Sequence, residues 1–165
     1  METSLHKQLK MLYAGPDAET EVSVEGFRID AIGKRGELIE IQHASLAALR
    51  SKSLKLLDGS TKRRLRIVKP IVAHKRIVTL AAPDGEVLRS RLSPKRGALL
   101  ELFGHLVHFT SVFPRQRMTL EVALIEAEEI RVDRTIKKRR RAKPYRQLDI
   151  RLVKVVETLS LKTNA

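Results

Sequence analysis

Cysteine and tryptophan are both missing from this chain of 165 residues, and aromatic residues make up only 4% of it. Without cysteine there is no disulfide framework, no thiolate zinc site and no cysteine nucleophile. So few aromatics leave little for stacking bases, so sequence-specific recognition of single strands by stacking is not expected. No apolar run approaches the roughly 18 residues of a membrane span. The opening METSLHKQLK lacks the apolar stretch of a signal peptide. These absences predict a soluble, cytoplasmic protein with no membrane partner.

Acidic residues are the scarce charge. The chain has 19 Asp and Glu against 33 Lys and Arg, a formal net charge of +14. That excess implies a polyanionic partner, with nucleic acid ahead of an acidic membrane. The basic residues are spread over predicted strands and loops, not along one amphipathic helix, which disfavours the membrane. An apolar fraction of 42% supports a real core, and the length suits one domain.

Leu5, Leu9 and Leu12 recur at helical spacing, with Thr3 or Ser4 as N-cap and Gly15-Pro16 as the stop, so residues 3–13 are predicted helical. From Glu19 the period changes to two. Val22 and Val24 alternate with Glu21, Ser23 and Glu25 in a first strand, Phe27, Ile29 and Ala31 mark a second after Gly26, and residues 37–42 form a third after Gly36. A second helix is expected over 44–57 and a strand over 64–73, parallel to its neighbour after the helical crossover. Beyond that, a hairpin is expected from 75–81 and 86–91 around Asp84-Gly85, and a helix opening at Ser93-Pro94 and running through Leu99, Leu102, Phe103 and Leu106. Strands are expected near 118–131 and 148–161. Phe103, Phe109 and Phe113 are expected in the core.

The chemistry-bearing unit is the meander. Asp30 lies near the end of its second strand, and Glu40 and Gln42 share one face of the third with Leu38, while Ile39 and Ile41 point the other way. A hairpin of this length can set Asp30 beside Glu40, so that both carboxylates, with the Ile41 carbonyl, converge on one divalent cation of the hard, oxygen-seeking kind. His105 and His108 share a helical face but have no acidic partner segment, so no zinc site is expected there.

Residues 28–42, RIDAIGKRGELIEIQ, together with the order helix, three-strand meander, helix, strand, resemble the PD-(D/E)XK nuclease superfamily. The resemblance implies an α/β restriction-endonuclease-like core over 1–73. Residues 74–165 would complete the same domain with further β-strands and a helix, including a basic loop at 137–143. It implies Mg²⁺ or Mn²⁺ held by Asp30, Glu40 and Ile41, and hydrolysis of nucleic-acid phosphodiesters, with DNA favoured over RNA and endonucleolytic cutting expected. Gln42 stands where the family usually has its catalytic Lys. Lys52, on the following helix, is the candidate for a migrated Lys, with Arg50 its rival. A ligand from the first helix best fits His6, with Glu2 one turn earlier and Glu21 a further candidate. The basic residues Lys62, Arg63, Arg64, Lys95, Arg96, Lys137, Lys138, Arg139, Arg140 and Arg141 would hold the nucleic-acid backbone. The alternative is a catalytically inactive nucleic-acid-binding module of the same fold. A homodimer and a further domain after residue 165 are open expectations at this stage.

Overall fold

In the computed structural model, residues 2–59, 62–133 and 143–163 are described. The Lys137, Lys138, Arg139, Arg140 and Arg141 run lies outside them. The chain forms α1 (Ser4–Ala14), β1 (Thr20–Val24), β2 (Phe27–Ile32), β3 (Leu38–Ile41), α2 (Arg50–Asp58), β4 (Leu65–Leu80), β5 (Val87–Leu92), α3 (Glu101–Leu106), β6 (Met118–Asp133) and β7 (Tyr145–Lys162). This is a mixed α/β architecture around one open seven-stranded sheet in the order β1-β2-β3-β4-β6-β7, with β5 paired to β4. The β3–β4 and β4–β6 pairs are parallel and all others antiparallel. Among the described residues no helix is long and apolar enough to cross a membrane.

Two layers of side chains sandwich the sheet. On one face Leu5 and Leu9 of α1 pack on Ala31, Ile39, Ile41, Val68, Ala123 and Ile125. On the other, Leu56 and Leu57 of α2 and the preceding 3₁₀ turn pack with Phe109 on Ile29, Leu38, Ile67 and Leu120. Every residue of β3 is buried, as a strand covered on both faces requires. Each Leu or Ile so buried contributes about 1.5–3 kcal/mol. The Thr3 hydroxyl accepts from His6 N and caps α1, and Gly15, at φ 99°, ends it.

Several expectations are corrected here. Residues 64–73 and 75–81 form one strand, β4, with a register shift between Val72 and His74 where the sequence suggests a break. The helix expected from Ser93 starts only at Glu101, because residues 93–97 instead lie along β4, with Ser93 N bonded to Lys75 O and Gly97 N to Val72 O. Leu12 and Phe103 are exposed, while Phe109 is fully buried.

The long strands β4 and β6 serve two neighbourhoods. Their first halves carry β3 on the β4 edge and their second halves carry β5 on the same edge. Between β3 and the 93–97 segment the β4 edge has no partner strand among the described residues. Gln42 N donates to Val68 O, Gly97 N donates to Val72 O, and between them falls Pro70. Groups of alternate residues point to the same edge, so the N–H that proline lacks would have faced this gap. Proline is thereby tolerated inside a central strand, and the gap becomes a cleft.

Candidate active site

β2 and β3 pair at Ala31–Ile39 and Ile32–Leu38. Beyond that point side chains replace the ladder. Ile41 N donates to Asp30 Oδ2 at 2.7 Å, and Asp30 N donates to Glu40 Oε1 at 3.3 Å. Each strand thus lends a carboxylate to the other's amide, and both acids stand in the mouth where the strands part. Opposite them on β1, Glu21 has φ 57°, a left-handed conformation that costs a non-glycine residue energy and is rare inside a strand.

Three side chains one helical turn apart, Glu2, His6 and Lys10, face this mouth from the α1 side. His6 Nε2 lies 3.3 Å from Asp30 Oδ1 and 3.6 Å from Glu2 Oε1. Lys10, almost wholly buried, bridges Glu2 at 2.5 Å and Glu21, which also pairs with Arg28. From the other side α2 delivers Lys52, whose Nζ donates to Glu40 Oε1 at 2.6 Å and to the Arg28 carbonyl. Arg50 is exposed on the same helix.

The environments split the two acids. Burial opposes ionisation of Asp30, but hydrogen bonds from His6 and Ile41 N, with the charges of His6 and Lys10, outweigh it and hold its carboxyl below the usual range. For Glu40 burial wins. Helped by the neighbouring Asp30 charge, it pushes the carboxyl above its ordinary value despite Lys52. Lys10 is a buried ammonium whose bonds to Glu2 and Glu21 more than offset its desolvation, so its pKa is raised. Glu21 is lowered, first by Lys10 and then, against burial, by Arg28.

The donor chemistry suits a small, hard cation. Among the described residues Oε2 of Glu40 receives no hydrogen bond, and Asp30 Oδ1 pairs with the His6 ring alone. Among the described residues no three His, Asp or Glu side chains form a ready-made metal cage. A two-carboxylate site for Mg²⁺, completed by waters and substrate phosphate, does not need one.

Gln42 turns away, its Nε2 donating to Ser45 O at 2.7 Å. Lys95 and Arg96 line a cleft of about 690 Å³ at the β4 gap, with His43, Lys69 and His105. A hollow of about 420 Å³ lined by Glu2 and His6 adjoins it, sharing Leu5, His43 and Ile150. Lys62, Arg63 and Arg64 are not brought to this end. They line a separate hollow of about 670 Å³ with Lys34, Arg35 and Arg66, where β4 begins. Sequence reasoning passed over Lys10 and Lys69. The signal for Lys69 was present, a lone charge inside the apolar, β-branched run IVKPIV.

The sequence matches the family described as "Domain of unknown function (DUF8091)" over residues 3–162. No curated protein and no solved structure matches the chain.

Proposed function

The chain belongs to the DUF8091 family, and we propose that it is a metal-dependent nuclease of restriction-endonuclease-like fold that hydrolyses phosphodiester bonds in DNA. The observation carrying this reading is the meeting of Asp30, Glu40 and Lys52 where β2 and β3 part. Support comes also from the run of elements from α1 through β1–β3 and α2 to a parallel β4, and from the +14 charge. Asp30, Glu40 and the Ile41 carbonyl would hold Mg²⁺ or Mn²⁺, with His6 and Glu2 beside them. When bound, such an ion lowers the pKa of water and neutralises charge developing on phosphate.

The chain's own residues do the rest. Asp30, kept ionised by His6 and the Ile41 amide, presents a fixed negative charge. Lys52 holds Glu40 in place and keeps a third ammonium N–H to aim at water or a phosphate oxygen. Lys95 and Arg96 draw the strand toward the site from the adjoining cleft. One observation favours the second reading, an inactive nucleic-acid-binding module. Glu40 is already neutralised by Lys52, so the site holds together without a metal.

Cleavage of plasmid and linear DNA with Mg²⁺ or Mn²⁺, beside Asp30→Ala and Glu40→Ala, separates the readings. Cutting lost in both variants is expected. Cutting that survives both sinks the site, and salt-sensitive binding without cutting selects the binding module.

A further inference from the structure

Lys69 is 2% exposed, yet forms no ion pair among the described residues. An ammonium has three N–H donors. Two of them go to the carbonyls of His43 and Ala44, each at 2.7 Å. The residue lines the 690 Å³ cleft, and no described group takes the third donor. A buried cation without a counter-charge is costly unless something supplies one. Burial accordingly draws its pKa down to about 8, with Glu101 opposing.

The far wall of the cleft is built as firmly. The 93–97 segment is pinned at both ends to β4, through Ser93 N to Lys75 O and Gly97 N to Val72 O. Gly97 sits so close that a Cβ there would lie 2.8 Å from the Val72 carbonyl oxygen. Between these anchors stand Lys95 and Arg96, the latter within 2.7 Å of His74 Nε2. Among the described residues Glu101 is the only acid on the cleft wall, beside Lys69, Lys75, Lys95, Arg96, His43 and His105.

We infer that this cleft is a phosphate-binding subsite, in which Lys69 Nζ donates to a phosphate oxygen while Lys95 and Arg96 close over it from the pinned segment. The inference rests on the nucleic-acid reading for its ligand, a phosphate of a bound strand. The adjoining hollow at His6 and Glu2 then leads that strand toward Asp30. Neither the proline gap nor the buried lysine is needed to hold a metal ion, so the subsite is separable from the carboxylate pair.

The test uses the whole chain in EDTA, so that metal chemistry plays no part. Calorimetric titration with inorganic phosphate, and with a short single strand bearing either a 5′-phosphate or a 5′-hydroxyl, is combined with lysine ε-methylene spectra. Lys69→Arg identifies the Lys69 signal. Phosphate is expected to bind and to move that signal, and Lys95→Ala and Arg96→Ala, both at exposed positions, to weaken binding about ten-fold or more each. A preference for the 5′-phosphorylated strand makes the ligand a terminal phosphate. Equal binding of both strands, competed by phosphate, makes it an internal one. A Lys69 signal that stays put at saturating phosphate, or strand binding that phosphate does not displace, overturns the inference. Metal-dependent cutting without phosphate binding would leave the nuclease reading intact. Phosphate binding without cutting would leave the subsite intact in a binding module.

Discussion

Glu40 and Lys52 depend on each other, because Glu40's side chain is only 7% exposed. With its folded pKa raised, Glu40 favours the folded state below its unfolded pKa, and that contribution is lost as pH rises through the raised value. Asp30, with a lowered pKa, does the opposite: its contribution is present above its unfolded pKa and is lost as pH falls through the lowered one. In metal-free protein at neutral pH, Glu40→Gln should therefore cost nothing or stabilise, whereas Asp30→Asn should destabilise. Lys52→Met leaves a buried carboxylate unpaired and should cost about 1–3 kcal/mol in urea unfolding at neutral pH, shrinking as pH falls through the raised value at which Glu40 takes up a proton. A pH-independent loss would show that Lys52 acts by packing alone. Addition of Mg²⁺ should raise the melting temperature of the wild type and leave that of Asp30→Asn unchanged.

At the scale of elements, α1 matters because it carries His6 and Lys10 to the acids, with Glu2 just ahead of its cap. Its docking is set at its first turn, where Ser4 N and Oγ donate to Asp149 Oδ1 and Oδ2 at 2.9 and 2.6 Å, and one turn on, where Leu152 N donates to Gln8 Oε1 at 2.8 Å. Burial opposes ionisation of Asp149, but the Ser4 and Ile150 hydrogen bonds prevail and lower its pKa, so this anchor holds above the ordinary carboxylate range and is lost as pH falls through the lowered value. Asp149→Ala should destabilise by about 1–3 kcal/mol and weaken Mg²⁺ binding through a displaced His6. An unchanged Mg²⁺ titration would mean that α1 is positioned by Leu5 and Leu9 alone. The helix, its cap and the meander were legible in the sequence because their causes are local: Thr3 as N-cap, Gly15 as stop, alternation around Ile29 and Ile39. The α1 anchor was not, since Ser4 and Asp149 are 145 residues apart. Asp30 and Glu40 could be paired by counting strand residues. That their side chains cap each other's strand depends on where the β2–β3 ladder stops, which no periodicity shows. Pro70 falls inside the strand expected over 64–73, and the vacancy left beyond β3 explains how a central strand tolerates it.

Across the whole molecule, positive charge gathers at both ends of the β3–β4 core. Lys69, Lys95 and Arg96 stand at the carboxyl end of β3, and Lys34, Arg35, Lys62, Arg63, Arg64 and Arg66 at the end where β4 begins. Arg64 and Val68, the partner of Ile41, are separated by about 13 Å at ~3.3 Å per strand residue. A phosphate held at the β4 start is thus two or more nucleotides from the carboxylates, able to add affinity but not to touch the reacting group. Replacing Lys62, Arg63 and Arg64 together by Ala should weaken binding evenly across sequences. It should also flatten the slope of log K against log salt by about 0.9 per lost phosphate contact on duplex, or about 0.7 on a single strand. The cutting rate at saturating DNA should stay at the wild-type value. An unchanged slope would remove this hollow from the footprint. A fall in the saturated rate would mean that the strand must be gripped at both ends of the sheet before the carboxylates can act on it.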